Sequence, residues 1–66
     1  MNEKLRLFLS ENNINQVELA RRIGTRPQHI SKWIIGIKPS AKYIVKFEEV
    51  FGLSAMQTIE LFGVGV

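Results

Sequence analysis

Residues 15–40 read NQVELARRIGTRPQHISKWIIGIKPS, a stretch with the signals of two short helices joined by a tight turn. Asn15 is a favourable helix N-cap and Glu18 stands three residues later, the capping-box arrangement that satisfies free backbone N–H groups from both sides. A helix is therefore predicted over about 16–23, ending at Gly24, because the residue that follows a helix often needs a positive φ. Four apolar positions of this helix are expected to face inward: Val17, Leu19, Ala20 and Ile23.

A second short helix is predicted directly after the turn. Thr25 is expected to cap it, with Gln28 completing another capping box. Pro27 is tolerated in the first turn, where its missing N–H has no intrahelical partner. We expect this helix over about 26–35, with a buried face made of Ile30, Trp33 and Ile34.

Helical spacing of apolar residues continues on both sides of this pair. A first helix is predicted over about 3–12, with an apolar stripe of Leu5, Phe8 and Leu9. Ser40 is expected to cap a fourth helix over about 41–51, which Gly52 ends. Ser54 and Gln57 form a further capping box, predicting a last helix that runs to about Phe62. The chain is therefore predicted to be all-α, with five short helices in a single domain over 1–66.

Bulk composition restricts the classes of function. A chain of 66 residues has a small core, so we expect it to gain stability from a partner. Without cysteine it has no disulfide and no thiolate metal site. The net charge of +3 and the pI of about 9.7 suit a polyanionic partner. Because no secretory signal and no membrane-spanning apolar run is visible, a cytoplasmic location is expected.

The residue identities add a family resemblance. Residues 15–25, NQVELARRIGT, closely resemble the helix-turn-helix of phage repressor and Cro-type (Xre-like) proteins. The likeness continues through QHISKW at 28–33 to Gly36, Lys38, Pro39 and Ser40. The resemblance implies a lambda-repressor-like five-helix bundle that binds double-stranded DNA sequence-specifically and regulates transcription. The second helix of the motif would then enter the major groove of a palindromic operator.

The resemblance also implies which side chains meet the DNA. Base contacts are expected at the start of the recognition helix and one turn later, from Arg26, Pro27, Gln28 and Lys32. Gln28 suits adenine, Lys32 suits guanine, and Pro27 offers an apolar surface to a thymine methyl. Arg26 is expected to contact either a base or a phosphate. Trp33 is expected in the core rather than stacked on a base.

Phosphate contacts are expected on both sides of the recognition helix. Gln16 opens the preceding helix, where free N–H groups and the positive end of the helix dipole favour an anion. The other candidates are His29, which is open to a base contact as well, and, around the following loop, Lys38, Ser40 and Lys42. A single histidine provides no metal site, and no cofactor is expected.

A homodimer is expected because one such unit reads only a few base pairs, whereas two related by a twofold axis cover half-sites ~34 Å apart. Ile34 is expected to pack on Leu9, which leaves the neighbouring isoleucines without a place in the monomer. The residues predicted for the dimer interface are Ile35, Ile37, Met56 and Phe62.

Two alternatives remain open at this point. A helical protein-interaction module of the antitoxin or adaptor type would use the apolar loop and the C-terminal segment to hold a partner. The C-terminal segment could also form a short β-strand, as in some Cro-type relatives. Catalysis is disfavoured because the chain has no Asp, no Cys and one His. Neither a small-molecule ligand nor a membrane partner is expected.

Overall fold

The computed structural model of the protein describes residues 1–63 and contains five α-helices in this part of the chain. Their bounds are α1 Glu3–Glu11, α2 Gln16–Ile23, α3 Pro27–Ile34, α4 Ala41–Phe51 and α5 Ala55–Phe62. The predicted all-α fold is confirmed, and each boundary lies within a residue of its predicted position. The strand alternative is wrong for 55–62, which is helical; residues 64–66 lie outside the described part.

The core is centred on Phe47 of α4, whose side chain is fully buried. Its ring lies 5.3 Å from that of Phe8 and 5.2 Å from that of Phe62, measured between ring centroids. Leu5, Leu19 and Ile30 are fully buried around it. Full burial of one such side chain contributes about 1.5–3 kcal/mol, so these contacts between helices supply most of what holds a chain of this size folded.

Most predicted helix ends are confirmed. The Asn15 side chain accepts a hydrogen bond from the N–H of Glu18 at 2.8 Å, and Ser54 and Gln57 form a reciprocal capping box. Gly24 has φ +83°, a left-handed conformation that only glycine adopts without strain. The tight turn after α2 therefore depends on this glycine.

Two predictions about helix starts and faces are wrong, and a third is confirmed only in part. The N-cap of α3 is Arg26 rather than Thr25, and it makes no side-chain capping bond. Ser40 occupies the N-cap position of α4, also without a side-chain capping bond. Val17 is exposed, because it lies roughly 110° around the α2 axis from the centre of the stripe made by Leu19, Ala20 and Ile23.

Asn2 joins three helices, a role that the sequence pattern did not reveal. Its side-chain oxygen caps α1 by accepting from the N–H of Leu5 at 2.9 Å, and its amide nitrogen donates to the carbonyl of Leu61 in α5 at 2.7 Å. Its backbone N–H donates to the carbonyl of Ile34 at the end of α3 at 2.6 Å. Asn2 therefore fixes α1 against both α3 and α5.

No helix within residues 1–63 combines the length and the apolar character needed to cross a membrane.

Replacing Asn2 with alanine should lower the free energy of unfolding by about 1–3 kcal/mol, because the cap and one cross-helix hydrogen bond are lost together. Asn12→Ala is the matched control, since within residues 1–63 the Asn12 amide donates only to the carbonyl of Phe8 in α1. Urea unfolding followed by circular dichroism measures both. Equal destabilisation by the two variants would contradict a role for Asn2 in joining helices.

Candidate nucleic-acid interface

The turn between α2 and α3 is set by backbone geometry. Ala20 is buried, and its carbonyl accepts hydrogen bonds from the N–H groups of both Gly24 and Thr25 at 2.9 Å. Beyond the turn, Ile30 and Trp33 are buried and anchor one side of α3 in the core. The Trp33 ring lies 5.7 Å from that of Tyr43 and 6.2 Å from that of Phe62, so its predicted place in the core is confirmed.

The opposite side of α3 faces solvent. All four side chains predicted to meet bases, Arg26, Pro27, Gln28 and Lys32, are exposed. Gln28 and Lys32 stand one helical turn apart, so they lie on the same face. The structure places Arg26, Pro27 and Gln28 at the start of α3 and Lys32 in its last turn, all exposed on one helix, an arrangement that suits base readout in a groove.

His29 is held against the protein rather than extended from it. It is half-buried, its Nδ1 forms a hydrogen bond with the Thr25 hydroxyl, and its ring lies 6.3 Å from that of Tyr43. The Thr25 hydroxyl is therefore paired with His29 instead of capping α3. Only the Nε2 edge of the ring is left for the predicted phosphate contact.

The remaining candidates flank α3 on both sides. Gln16 is the first residue of α2, and its side-chain oxygen accepts a hydrogen bond from the Ser31 hydroxyl at 2.8 Å. Lys38, Ser40 and Lys42 are exposed in and after the loop that follows α3, and the Lys42 ammonium lies 5.5 Å from the centroid of the Tyr43 ring. The bond from Ser31 was not predicted, because nothing in a local pattern links residues fifteen positions apart.

The sequence profile of the helix-turn-helix family matches residues 3–56. The chain belongs to this helix-turn-helix family. The match confirms the resemblance to Cro-type (Xre-like) proteins and makes the chain a DNA-binding helix-turn-helix regulator in general. No curated protein and no solved structure matches the chain.

Charge in this helix-turn-helix protein is divided unevenly along the chain. Residues 15–46, which run from the cap of α2 into α4, hold seven of the nine basic residues and one of the six acidic residues. The seven are all exposed: Arg21, Arg22, Arg26, Lys32, Lys38, Lys42 and Lys46. The rest of the chain has two basic and five acidic residues. The positive charge is therefore concentrated in and around the helix-turn-helix, the part of the protein that would contact a phosphate backbone.

The single acidic residue of that segment is Glu18, and it is paired twice. Its carboxylate accepts hydrogen bonds from Arg21 and, at 3.0 Å, from Arg22. Glu18 therefore reaches forward along α2 instead of back to the backbone of Asn15, and the predicted capping box is only half formed. These two arginine bonds lower the pKa of the Glu18 carboxyl below its ordinary value.

The residues predicted for a dimer interface divide into two groups. Ile35, Ile37 and Met56 are 61%, 54% and 71% exposed, so their side chains are open to another molecule. Phe62 is only 5% exposed, because its ring fills the space between Phe47 and Trp33. The prediction that Phe62 lies at a dimer interface is wrong for this reason. Ile34 is half-buried against the core that contains Leu9.

The pairing of Glu18 predicts a pH-dependent contribution to stability. A carboxyl whose pKa is lowered in the folded state stabilises the fold fully above its ordinary value of 4.5, and this stabilisation disappears as pH falls through the lowered pKa. Glu18→Gln should therefore unfold at a lower temperature than the wild type at neutral pH, and the difference should vanish in acid.

Thermal unfolding over a descending series of pH values checks this expectation, with the exposed Glu60→Gln as the control. A difference between Glu18→Gln and the wild type that persists or grows in acid would show that the ion pairs are not its cause.

Proposed function

We propose that the protein binds operator DNA as a homodimer and regulates transcription in the manner of a Cro-type repressor. The observation that supports this proposal is that one face of α3 is buried and the opposite face is exposed. Its inner face is fixed by Ile30 and Trp33, while Arg26, Gln28 and Lys32 project from the outer face. An α-helix with its side chains is about 10–12 Å in diameter, which fits the ~12 Å width of the major groove.

The chemistry of the exposed side chains supports readout of bases. The Gln28 carboxamide has both a donor and an acceptor, which match the N7 and N6 groups of adenine. The Lys32 ammonium donates only, which suits the two acceptors of guanine. Since Gln28 does not close a capping box, its amide is not used by the helix terminus. Pro27 adds an apolar surface that fits a thymine methyl group.

Phosphate contacts would hold this helix in register. Gln16 precedes α3 in the chain and Lys38 and Lys42 follow it, so we propose phosphate contacts from the segments on either side of the recognition helix in the sequence. Ser40 and the free edge of His29 are further candidates. Ser40 is available because its hydroxyl makes no capping bond with α4.

Gln28→Ala and Lys32→Ala should each weaken binding to the preferred duplex by about 5- to 150-fold, because each loses a base contact of about 1–3 kcal/mol. The duplex is obtained by in-vitro selection from random DNA with the wild-type protein, and affinity is measured by gel shift. Lys4→Ala, in the acidic part of the chain, is the control and should bind as the wild type does. Unchanged affinity of both α3 variants, with folding intact, would refute base readout by this helix.

The homodimer is proposed from the apolar residues that the monomer leaves uncovered. Ile35 and Ile37 have their backbone N–H groups bonded to Ser31 and Lys32, yet their side chains project outward. Gly36 between them lines one cleft together with Glu60, Leu61 and Gly63, so this loop lies beside the end of α5. A second copy packed there would bury these isoleucines and place two recognition helices on a palindrome. Met56 is a further exposed candidate on α5.

The double variant Ile35→Gln with Ile37→Gln should sediment as a monomer at concentrations where the wild type is a dimer, because the interface loses its apolar side chains. It should also lose affinity for a full palindrome more than for a single half-site. Leu7→Gln, which changes an equally exposed apolar residue of α1, is the matched control and should remain dimeric. A wild-type protein that stays monomeric at high concentration, with and without DNA, would rule out the homodimer.

A further inference from the structure

The two helices of the helix-turn-helix are joined by a side-chain hydrogen bond at their solvent-facing edge. The Ser31 hydroxyl lies 2.8 Å from Gln16 Oε1 and 3.3 Å from the carbonyl of Pro27. A hydroxyl has a single proton to donate, and O–H···O bonds are typically about 2.5–3.0 Å long. The proton of Ser31 is therefore directed to Gln16, across to the neighbouring helix.

This bond determines which end of the Gln16 carboxamide faces solvent. With its oxygen accepting from Ser31, the amide keeps its NH2 group, which has two donors, for a partner other than Ser31. A phosphate oxygen only accepts hydrogen bonds, so it is attracted by this orientation of the amide and repelled by the reverse one. Both residues are exposed, and a DNA backbone can therefore reach the oriented amide.

We infer that Ser31 is a positioning residue for DNA binding: it holds the Gln16 amide ready for a phosphate and couples that contact to the recognition helix. The inference rests on the proposed function and adds a residue to it. Ser31 stands one turn after Pro27 and three residues after Gln28, between α2 and the base-reading face. A shift of α3 in the groove is then transmitted to the phosphate anchor on α2, and the two contacts act as a unit.

The test is a double-mutant cycle on the duplex selected by the wild-type protein. Ser31→Ala should bind about two- to tenfold more weakly, the effect of one hydrogen bond. Gln16→Ala should lose at least as much, and Ser31→Ala combined with Gln16→Ala should bind no more weakly than Gln16→Ala alone. Ser31→Thr keeps the hydroxyl and should restore binding. Ser10→Ala, an exposed serine of α1, is the matched control and should have no effect.

Two further readouts separate positioning from a merely structural role. The first is ethylation of individual backbone phosphates of the duplex. Ethylation of the phosphate that Gln16 contacts should weaken binding of the wild-type protein, and it should have no effect on binding of Ser31→Ala or of Gln16→Ala. The salt dependence of binding should be the same in the wild type and Ser31→Ala, because the amide is neutral and releases no counterion, whereas Lys38→Ala should reduce the slope by about one. Urea unfolding should show that Ser31→Ala is folded.

Additive losses in the cycle, wild-type affinity of Ser31→Ala, or an unchanged pattern of phosphate interference would overturn the positioning role while leaving the proposed function intact. A wild-type protein that binds no duplex at all would instead overturn the proposed function itself. The two failures are therefore distinguishable in the same set of measurements.

Discussion

The burial of Ile30 and Trp33 determines how α3 is oriented in the fold. These two residues fix one side of α3 in the core, where α3 packs on α2 and α1 and the Trp33 ring contacts Tyr43 of α4, and the opposite side of α3 is thereby turned to solvent. The short turn at Gly24 and the small side chain of Ala20 let α3 approach closely enough for that burial. The exposure of the four residues that we propose to read bases therefore follows from the burial of two others.

Local signals were sufficient to predict the helices. Caps at Asn15 and Ser54 and a positive-φ glycine after α2 act over three or four residues, so they can be recognised in the sequence alone. Errors arose where two local partners competed. The sequence predicts that Thr25 caps α3, but its hydroxyl forms a hydrogen bond with His29. The Glu18 carboxylate accepts hydrogen bonds from two arginines instead of from the backbone N–H of Asn15. Where a side chain can reach several hydrogen-bond partners, the local sequence does not determine which partner it binds.

The site was predicted less completely than the fold, because part of it is tertiary. The exposure of Gln28 and Lys32 follows from helical spacing and needed no structure. The bond from Ser31 to Gln16 and the attachment of Asn2 to two other helices join residues far apart in the chain, and no periodic pattern encodes them. Phe62 was misplaced for the same reason. Its apolar side chain is compatible with an interface or with a core. The contact between its ring and that of Phe47 places it in the core, and this contact cannot be recognised in the sequence.

The proposed contact with double-stranded DNA involves the exposed side of α3, the start of α2 and the loop after α3. It is tested most directly by nuclear magnetic resonance, following the backbone amides of the protein during titration with its selected duplex. We expect the largest shifts in residues 16–18, 26–32 and 38–42, and little change in α1 and α5 beyond any subunit contact. Shifts concentrated in α1 and α5, or no shifts with any duplex, would contradict it.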